Sequence, residues 1–213
     1  GKTFIDSKYR EWGNMTLNPS DGNEMESKIE IEKGTVYTIF MYGIARGIKY
    51  LHKLKVFHRD LKPANIVIDE FYRPYIADFG FSKISENSRN SAKLGSPLYM
   101  APEILQDGCN RYSFPADIFA LGLIFYSLTE CKACTVNINK KLRPDQILKK
   151  IYQDYSNGNM PELRPTNKFS GLIQRMWSVN PEQRPKIDEI CKILEEEDYW
   201  FENTDREAFL AYK

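Results

Sequence analysis

The sequence predicts a mostly helical α+β fold, on three observations. Apolar residues recur at three- and four-residue steps over several long stretches. The strand-like pieces are only three or four residues long. One helix-length segment, Ile118 to Leu128, is apolar nearly all round, as a helix in the middle of a domain must be. The 213 residues, 42% apolar and 28% charged, are enough to bury a core in one or two domains.

The elements follow in order. Residues 1–34 carry the weakest pattern, with a turn cluster at Asn18–Asn23 and alternating charge and Ile from Lys28 to Glu32. From Thr35 to about Lys53, Val36, Phe40, Ile44, Ile48 and Leu51 mark an amphipathic helix. His52 is expected to pack or cap its end, and Gly43 and Gly47 to serve close packing. Lys55–Phe57, Ile66–Ile68 and Pro74–Ala77 read as small strands framing a loop. Residues 81–98, rich in Ser, Asn and Lys, read as a long flexible loop, and loops of that length are usually functional. After the apolar helix, Pro144 opens a helix to about Tyr155. Phe169–Val179 and Lys186–Glu197 read as two more, split by Asn180-Pro181 and Pro185. In residues 198–213, Tyr199, Trp200, Phe201, Phe209 and Leu210 have a helical spacing that predicts a tail helix packed on the domain. No internal repeat or domain boundary is visible.

Charge and cysteine content exclude some functions. Lys plus Arg number 30 and Asp plus Glu 29, a net charge of +1, which lacks the basic excess of a nucleic-acid or membrane-surface protein. No run of 18 apolar residues and no charged-then-apolar leader occurs, so a cytoplasmic protein without membrane partners is expected. Four cysteines are too few for a disulfide scaffold. Cys131-Lys-Ala-Cys134 has metal-ligand spacing but no second pair, and both histidines lie far upstream; the reading is ordinary thiols in a reducing compartment, one of them buried. The sequon Asn14-Met15-Thr16 reads as chance.

One stretch decides the reading. His58-Arg59-Asp60-Leu61-Lys62-Pro63-Ala64-Asn65 resembles the catalytic loop of eukaryotic protein kinases. Asp78-Phe79-Gly80 follows 18 residues after Asp60 and matches that family's metal-binding motif. Gly95 to Glu103, ending Ala-Pro-Glu, matches the end of the activation segment. Asp117–Gly122 looks like the start of the buried central helix, and Asn180–Pro185 like the turn before the last helix. Five landmarks in order imply a kinase large lobe with short strands around the catalytic loop, over about residues 1–195.

The resemblance implies roles. Asp60 would accept the proton of an attacking hydroxyl, and Lys62 would offset charge building on the γ-phosphate. Asn65 and Asp78 offer hard oxygen donors for Mg²⁺. Lys62, Asn65, Val67 and Asp78 would bind ATP. His58 would be buried core beneath Phe79. Asp117 would anchor the catalytic loop by accepting its backbone N–H groups, and Glu103 and Arg184 would form a buried ion pair. Arg59 would grip a phosphate carried on Ser85, Ser88 or Ser91. Lys62-Pro63-Ala64-Asn65, and Ser96 placed to bond the catalytic Asp and Lys, resemble the serine/threonine type. Met176-Trp177 and Ile44–Ile48 look like the tyrosine-kinase-like group. Ser/Thr-bearing proteins are the implied substrates.

The small-lobe motifs are missing. No two of the twelve glycines are separated by a single residue, and none of the seven lysines before His58 lies in a Val-Ala-Ile-Lys-like strand. The chain is therefore expected to be an incomplete kinase domain: a large lobe starting at Gly1 near the interlobe hinge, with residues 14–32 inserted. A small lobe is expected upstream in the full-length protein, without which this chain would be inactive. The alternative is a non-catalytic, truncated or pseudokinase-like interaction module. Small-molecule kinases of similar fold lack the Ala101-Pro102-Glu103 segment.

Overall fold

A computed structural model describes residues 32–69, 71–84, 95–106, 112–132, 134 and 143–213. The elements are α1 (Lys33–Lys53), β1 (Val56–Phe57), β2 (Ile66–Ile68), β3 (Pro74–Ile76), β4 (Lys83–Ile84), α2 (Pro102–Leu105), α3 (Phe114–Glu130), α4 (Pro144–Ser156), α5 (Ser170–Met176), α6 (Ile187–Leu194) and α7 (Arg206–Tyr212). Single 3-10 turns sit at Pro63–Asn65, Pro97–Tyr99, Pro181–Gln183 and Glu197–Tyr199. The expected segment 14–32 lies almost wholly outside the described residues, as do Ser85, Ser88 and Ser91. No helix among the described residues is long and apolar enough to cross a membrane.

Helix α3 is the axis of the core. Every residue from Ala116 to Glu130 is buried, so its apolar sequence has neighbours on all sides. Ser113 is extended and Pro115 sits in the first turn, where the missing N–H costs nothing. Cys131 ends the helix in a left-handed conformation with φ of 51°.

Helix α1 starts two residues earlier than its apolar pattern predicts, and is amphipathic only in its second half. Gly34 to Ala45 is buried all round, whereas Arg46 and Tyr50 face solvent. The reason is the C-terminal tail, which covers the face that the periodicity assigns to water. Gly47 packs on β3: an added Cβ would lie 2.7 Å from Ile76 Cδ1.

The short strands form two antiparallel pairs. β2 pairs β3 with Ile66 opposite Ile76, Val67 opposite Tyr75 and Ile68 opposite Pro74. Asp69 closes this hairpin: its Oδ1 accepts the N–H groups of Phe71 and Arg73, and its Oδ2 accepts from Arg73 Nε at 2.7 Å. β1 pairs β4, Val56 opposite Ile84 and Phe57 opposite Lys83. β4 corrects the reading of 81–98 as loop throughout; two residues are too few to show a period, and only the partner strand makes them a strand.

The tail departs from its prediction too. A 3-10 turn at Glu197–Tyr199 is followed by Asn203 with φ of 60°, which breaks any continuous helix. α7 restarts at Asp205, whose Oδ1 accepts the N–H groups of Glu207 and Ala208. Trp200 and Phe209 are buried, but Leu210 is 50% exposed and belongs to no core face. Cys134 is buried beside the Tyr155 hydroxyl, and burial pushes its thiol up to about 11; Cys131 is exposed.

Arg184 ties three segments together. Its guanidinium donates to Glu103 Oε1 at 2.6 Å and Oε2 at 2.8 Å, to the Pro115 carbonyl at 2.9 Å and to the Ser178 carbonyl at 2.9 Å. It also stacks over the Phe119 ring, 5.0 Å from its centroid. The Arg184 side chain is fully buried and Glu103 a quarter exposed. Glu103→Ala should therefore strand a buried cation and lower the unfolding free energy by about 3 kcal/mol, the low end for a broken buried pair. Glu103→Ala combined with Arg184→Met should lose less than the two single losses added. Urea unfolding measures both, and an unchanged midpoint for Glu103→Ala would remove the pair from the forces that hold the fold.

Candidate active site

The loop between β1 and β2 carries Asp60, Lys62 and Asn65, and a buried carboxylate on α3 fixes its backbone. Asp117 Oδ2 accepts the His58 N–H at 3.1 Å, and Oδ1 accepts the Arg59 N–H at 3.2 Å. The Tyr112 hydroxyl donates to Oδ1 at 2.9 Å and His52 Nε2 lies 3.1 Å from Oδ2. Each carboxylate oxygen thus has two partners, as a fully buried charge requires. Burial and the adjacent Asp117 push the Tyr112 hydroxyl well above its ordinary range.

This clamp holds a strained backbone. Arg59 adopts φ of 74° and Asp78 φ of 60°, left-handed conformations that cost non-glycine residues about 1–2 kcal/mol each. Such residues cluster at sites whose surroundings over-determine them. The Arg59 side chain is buried, its guanidinium 5.6 Å from the Tyr112 ring centroid.

His58 is fully buried. The Asp60 N–H faces its Nδ1 at 3.4 Å, so the ring proton sits on Nε2 and donates to the Ala77 carbonyl at 3.0 Å. Both ring nitrogens are thereby engaged in structure. Phe79 lies edge-on at 5.3 Å and is half exposed.

Asp60 is the centre of the arrangement. Lys62 Nζ donates to its Oδ2 at 2.7 Å, the Ser96 N–H to its Oδ1 at 2.8 Å, and Asn65 Nδ2 to Oδ2 at 3.1 Å. Burial by itself would raise the Asp60 carboxyl. The Lys62 ammonium and the Ser96 N–H outweigh it and hold the group below the ordinary carboxylate value. Lys62 Nζ also donates to the Ser96 hydroxyl at 2.9 Å. Ser96 therefore reaches the lysine through its hydroxyl and the aspartate through both its backbone N–H and its side chain.

Asn65 is buried, with Nδ2 also donating to the Asp60 carbonyl at 2.7 Å. That orientation leaves Oδ1 as its acceptor. The Ala77 N–H donates to the Asn65 carbonyl at 2.8 Å, so the β2–β3 hairpin sets Asp78 beside the loop that carries Asp60. Asp78 is exposed, with Oδ1 accepting the Gly80 N–H at 3.2 Å. Val67 points to solvent from β2, 48% exposed.

Sequence reasoning missed three contributors. His52, expected only to pack or cap its helix, instead reaches Asp117 and tilts against Phe114 at 4.5 Å. Tyr112 precedes Asp117 by more than one helical turn, and nothing in the sequence pairs them. Gly95 has φ of 115°, and an added Cβ would lie 2.7 Å from the Arg59 carbonyl and 3.0 Å from Asp60 Oδ1. A glycine opening the motif next to a serine is the one signal that points to it.

Comparison with known proteins agrees with the geometry. The family model "Protein kinase domain" matches residues 10–194. Mitogen-activated protein kinase kinase kinase 1 of Arabidopsis thaliana is 34% identical over 162 residues, 74% of this chain and 25% of that protein. The RGS domain-containing serine/threonine-protein kinase A of Dictyostelium discoideum is 31% identical over 159 residues, 73% of this chain and 13% of that protein. The protein kinase and PP2C-like domain-containing protein of Arabidopsis thaliana is 30% identical over 188 residues, 74% of this chain and 28% of that protein. The chain spans less than a third of the length of these relatives. With a fold built around a clamped His-Arg-Asp loop, and with most of its length matched, the chain belongs to the protein kinase family.

Proposed function

We propose that this chain is the large lobe of an ATP-dependent protein kinase that phosphorylates Ser and Thr hydroxyls, of the tyrosine-kinase-like group. The observation that carries the reading is Asp60, a carboxylate held ionised by Lys62 and Ser96 at the mouth of a loop that Asp117 clamps. The names of the relatives, serine/threonine kinases among them, support the substrate class.

The reaction follows from the donors and acceptors. A substrate hydroxyl oxygen attacks the γ-phosphorus of ATP, its proton passes to the Asp60 carboxylate, and the bond from the γ-phosphorus to the bridging oxygen breaks to release ADP. Lys62, a quarter exposed beside Asp60, offsets charge on the transferring group. Asn65 Oδ1 and the exposed Asp78 carboxylate are hard oxygen donors and fit Mg²⁺. When bound, that ion neutralises charge on the nucleotide phosphates. Val67 offers an apolar surface to the nucleotide. The glycine-rich loop and strand lysine of the family would come from a small lobe in the full-length protein.

Asp60→Asn in the full-length protein should lower kcat about 10²–10⁴-fold, the range of a lost general base, with the circular dichroism spectrum unchanged. Asp78→Asn should abolish transfer and weaken the response to Mg²⁺ titration. Radiolabel from γ-labelled ATP on a Ser/Thr protein substrate reads both. Retained activity in either would remove that residue from its role, and no transfer by the unmutated full-length protein would favour the interaction-module reading.

Lys62 supplies the chief attraction that offsets burial at Asp60, so Lys62→Met should raise the Asp60 carboxyl. The acid limb of residual kcat/KM then moves to higher pH. The stability linkage has a definite sign. A carboxyl lowered in the folded state stabilises the protein above its unfolded value, near 3.8, and that contribution fades as pH falls through the folded value. The stability advantage of the unmutated protein over Lys62→Met should therefore be present at neutral pH and shrink in acid. A pH-independent difference would detach Lys62 from the Asp60 carboxyl.

A further inference from the structure

Residues 195–213 lie beyond the segment that the kinase family matches, yet they cover a face of α1 deep in the domain. The contacts run along one stripe of the helix. Thr35 and Thr38, both buried, accept the backbone N–H groups of Asp205 at 2.7 Å and Phe201 at 3.0 Å. One turn further on, the Tyr42 ring meets Phe209 edge-on at 5.3 Å, and its hydroxyl donates to Glu195 at 2.9 Å. Lys213 bonds the other oxygen of Glu195 at 2.5 Å and, with Tyr42, outweighs burial to hold that carboxyl below its ordinary value. At the N-terminal end of the stripe, an added methyl on Gly34 would collide with the Glu202 carbonyl oxygen.

The last contact involves a third element. A methyl on Gly43 would collide with the Tyr212 hydroxyl and would lie 2.6 Å from Pro74 Cγ. The tail and the first residue of β3 therefore converge on one point of α1, where glycine leaves the room. Tyr212 is also within electrostatic reach of Asp69, Arg73 and Tyr75, the residues that close the β2–β3 hairpin. We infer that the tail acts as a strap across α1 and that Tyr212 is a wedge between α1 and β3, bracing the hairpin that links Asn65 to Asp78.

The brace is independent of any catalytic reading, and amide hydrogen exchange on the full-length protein tests it without an activity assay. Two amides report the hairpin: Ala77, bonded to the Asn65 carbonyl at 2.8 Å, and Asp69, bonded to the Arg73 carbonyl at 3.1 Å. Tyr212→Ala should speed their exchange about tenfold as local opening becomes easier. Tyr212→Phe, which keeps the ring but removes the hydroxyl that meets Gly43, should speed it less than Tyr212→Ala does. Gly43→Ala attacks the same point from the helix side and should reproduce the acceleration. Leu210→Ala, on the exposed side of α7, should change nothing. Amides in α3 serve as the reference for global unfolding. Unchanged hairpin exchange in Tyr212→Ala and Gly43→Ala would overturn the inference. So would equal acceleration in α3, which marks general destabilisation, or an equal effect of Leu210→Ala.

Discussion

A single buried carboxylate supports the geometry of the site. Asp117 lies in the first turn of a helix enclosed on every side, and its two oxygens hold the His58 and Arg59 N–H groups. A buried charge is tolerated only when every lone pair has a donor, so the anchor is also a demand on its surroundings. Tyr112 and His52 meet that demand. The left-handed Arg59 that follows His58 is costly in isolation. In that conformation the His58 and Arg59 N–H groups both reach Asp117.

The same competition decides the state of Asp60. Its side chain is almost entirely buried, and desolvation pushes it toward the neutral form. Lys62 and Ser96 push the other way, and the net direction favours the carboxylate. Of these, the Ser96 N–H is available only because Gly95 can turn at φ of 115° without a side chain striking the Arg59 carbonyl. The charge on Asp60 thus depends on a glycine 35 residues away in sequence.

Much of this was legible in the sequence, and the rest was hidden for identifiable reasons. The buried helix α3 announces itself because Ile118 to Leu128 has no polar face to confuse it. The sequence predicts β2 to the residue, since Ile66–Ile68 stands between a Pro-Ala-Asn turn and Asp69. β4 was invisible because two residues carry no period. The α1 pattern predicts an amphipathic helix because the tail that covers its second face lies some 160 residues later, and local patterning cannot see such a partner. For residues within short motifs the expected roles come from the family resemblance that those motifs carry. His52 and Tyr112 act through a contact that only the folded chain makes, with a carboxylate 65 and 5 residues further along.

Two ion-held anchors at the start of α3 work together. Asp117 fixes the chain at His58 and Arg59. The Pro115 carbonyl, half a turn earlier, accepts from Arg184, which grips Glu103 in the Ala-Pro-Glu segment. One helical turn therefore pins both ends of the stretch from His58 to Glu103, which contains Asp60, Lys62, Asn65, Asp78 and Ser96. Within that stretch the hairpin and the Lys62–Ser96 bond set relative positions, and the turn sets the frame. A helix buried on all faces is suited to this, because close packing leaves it no direction in which to yield. The apolar run that predicts a central helix is thus the physical condition for a rigid site, since the clamp can be no stiffer than the helix that carries it.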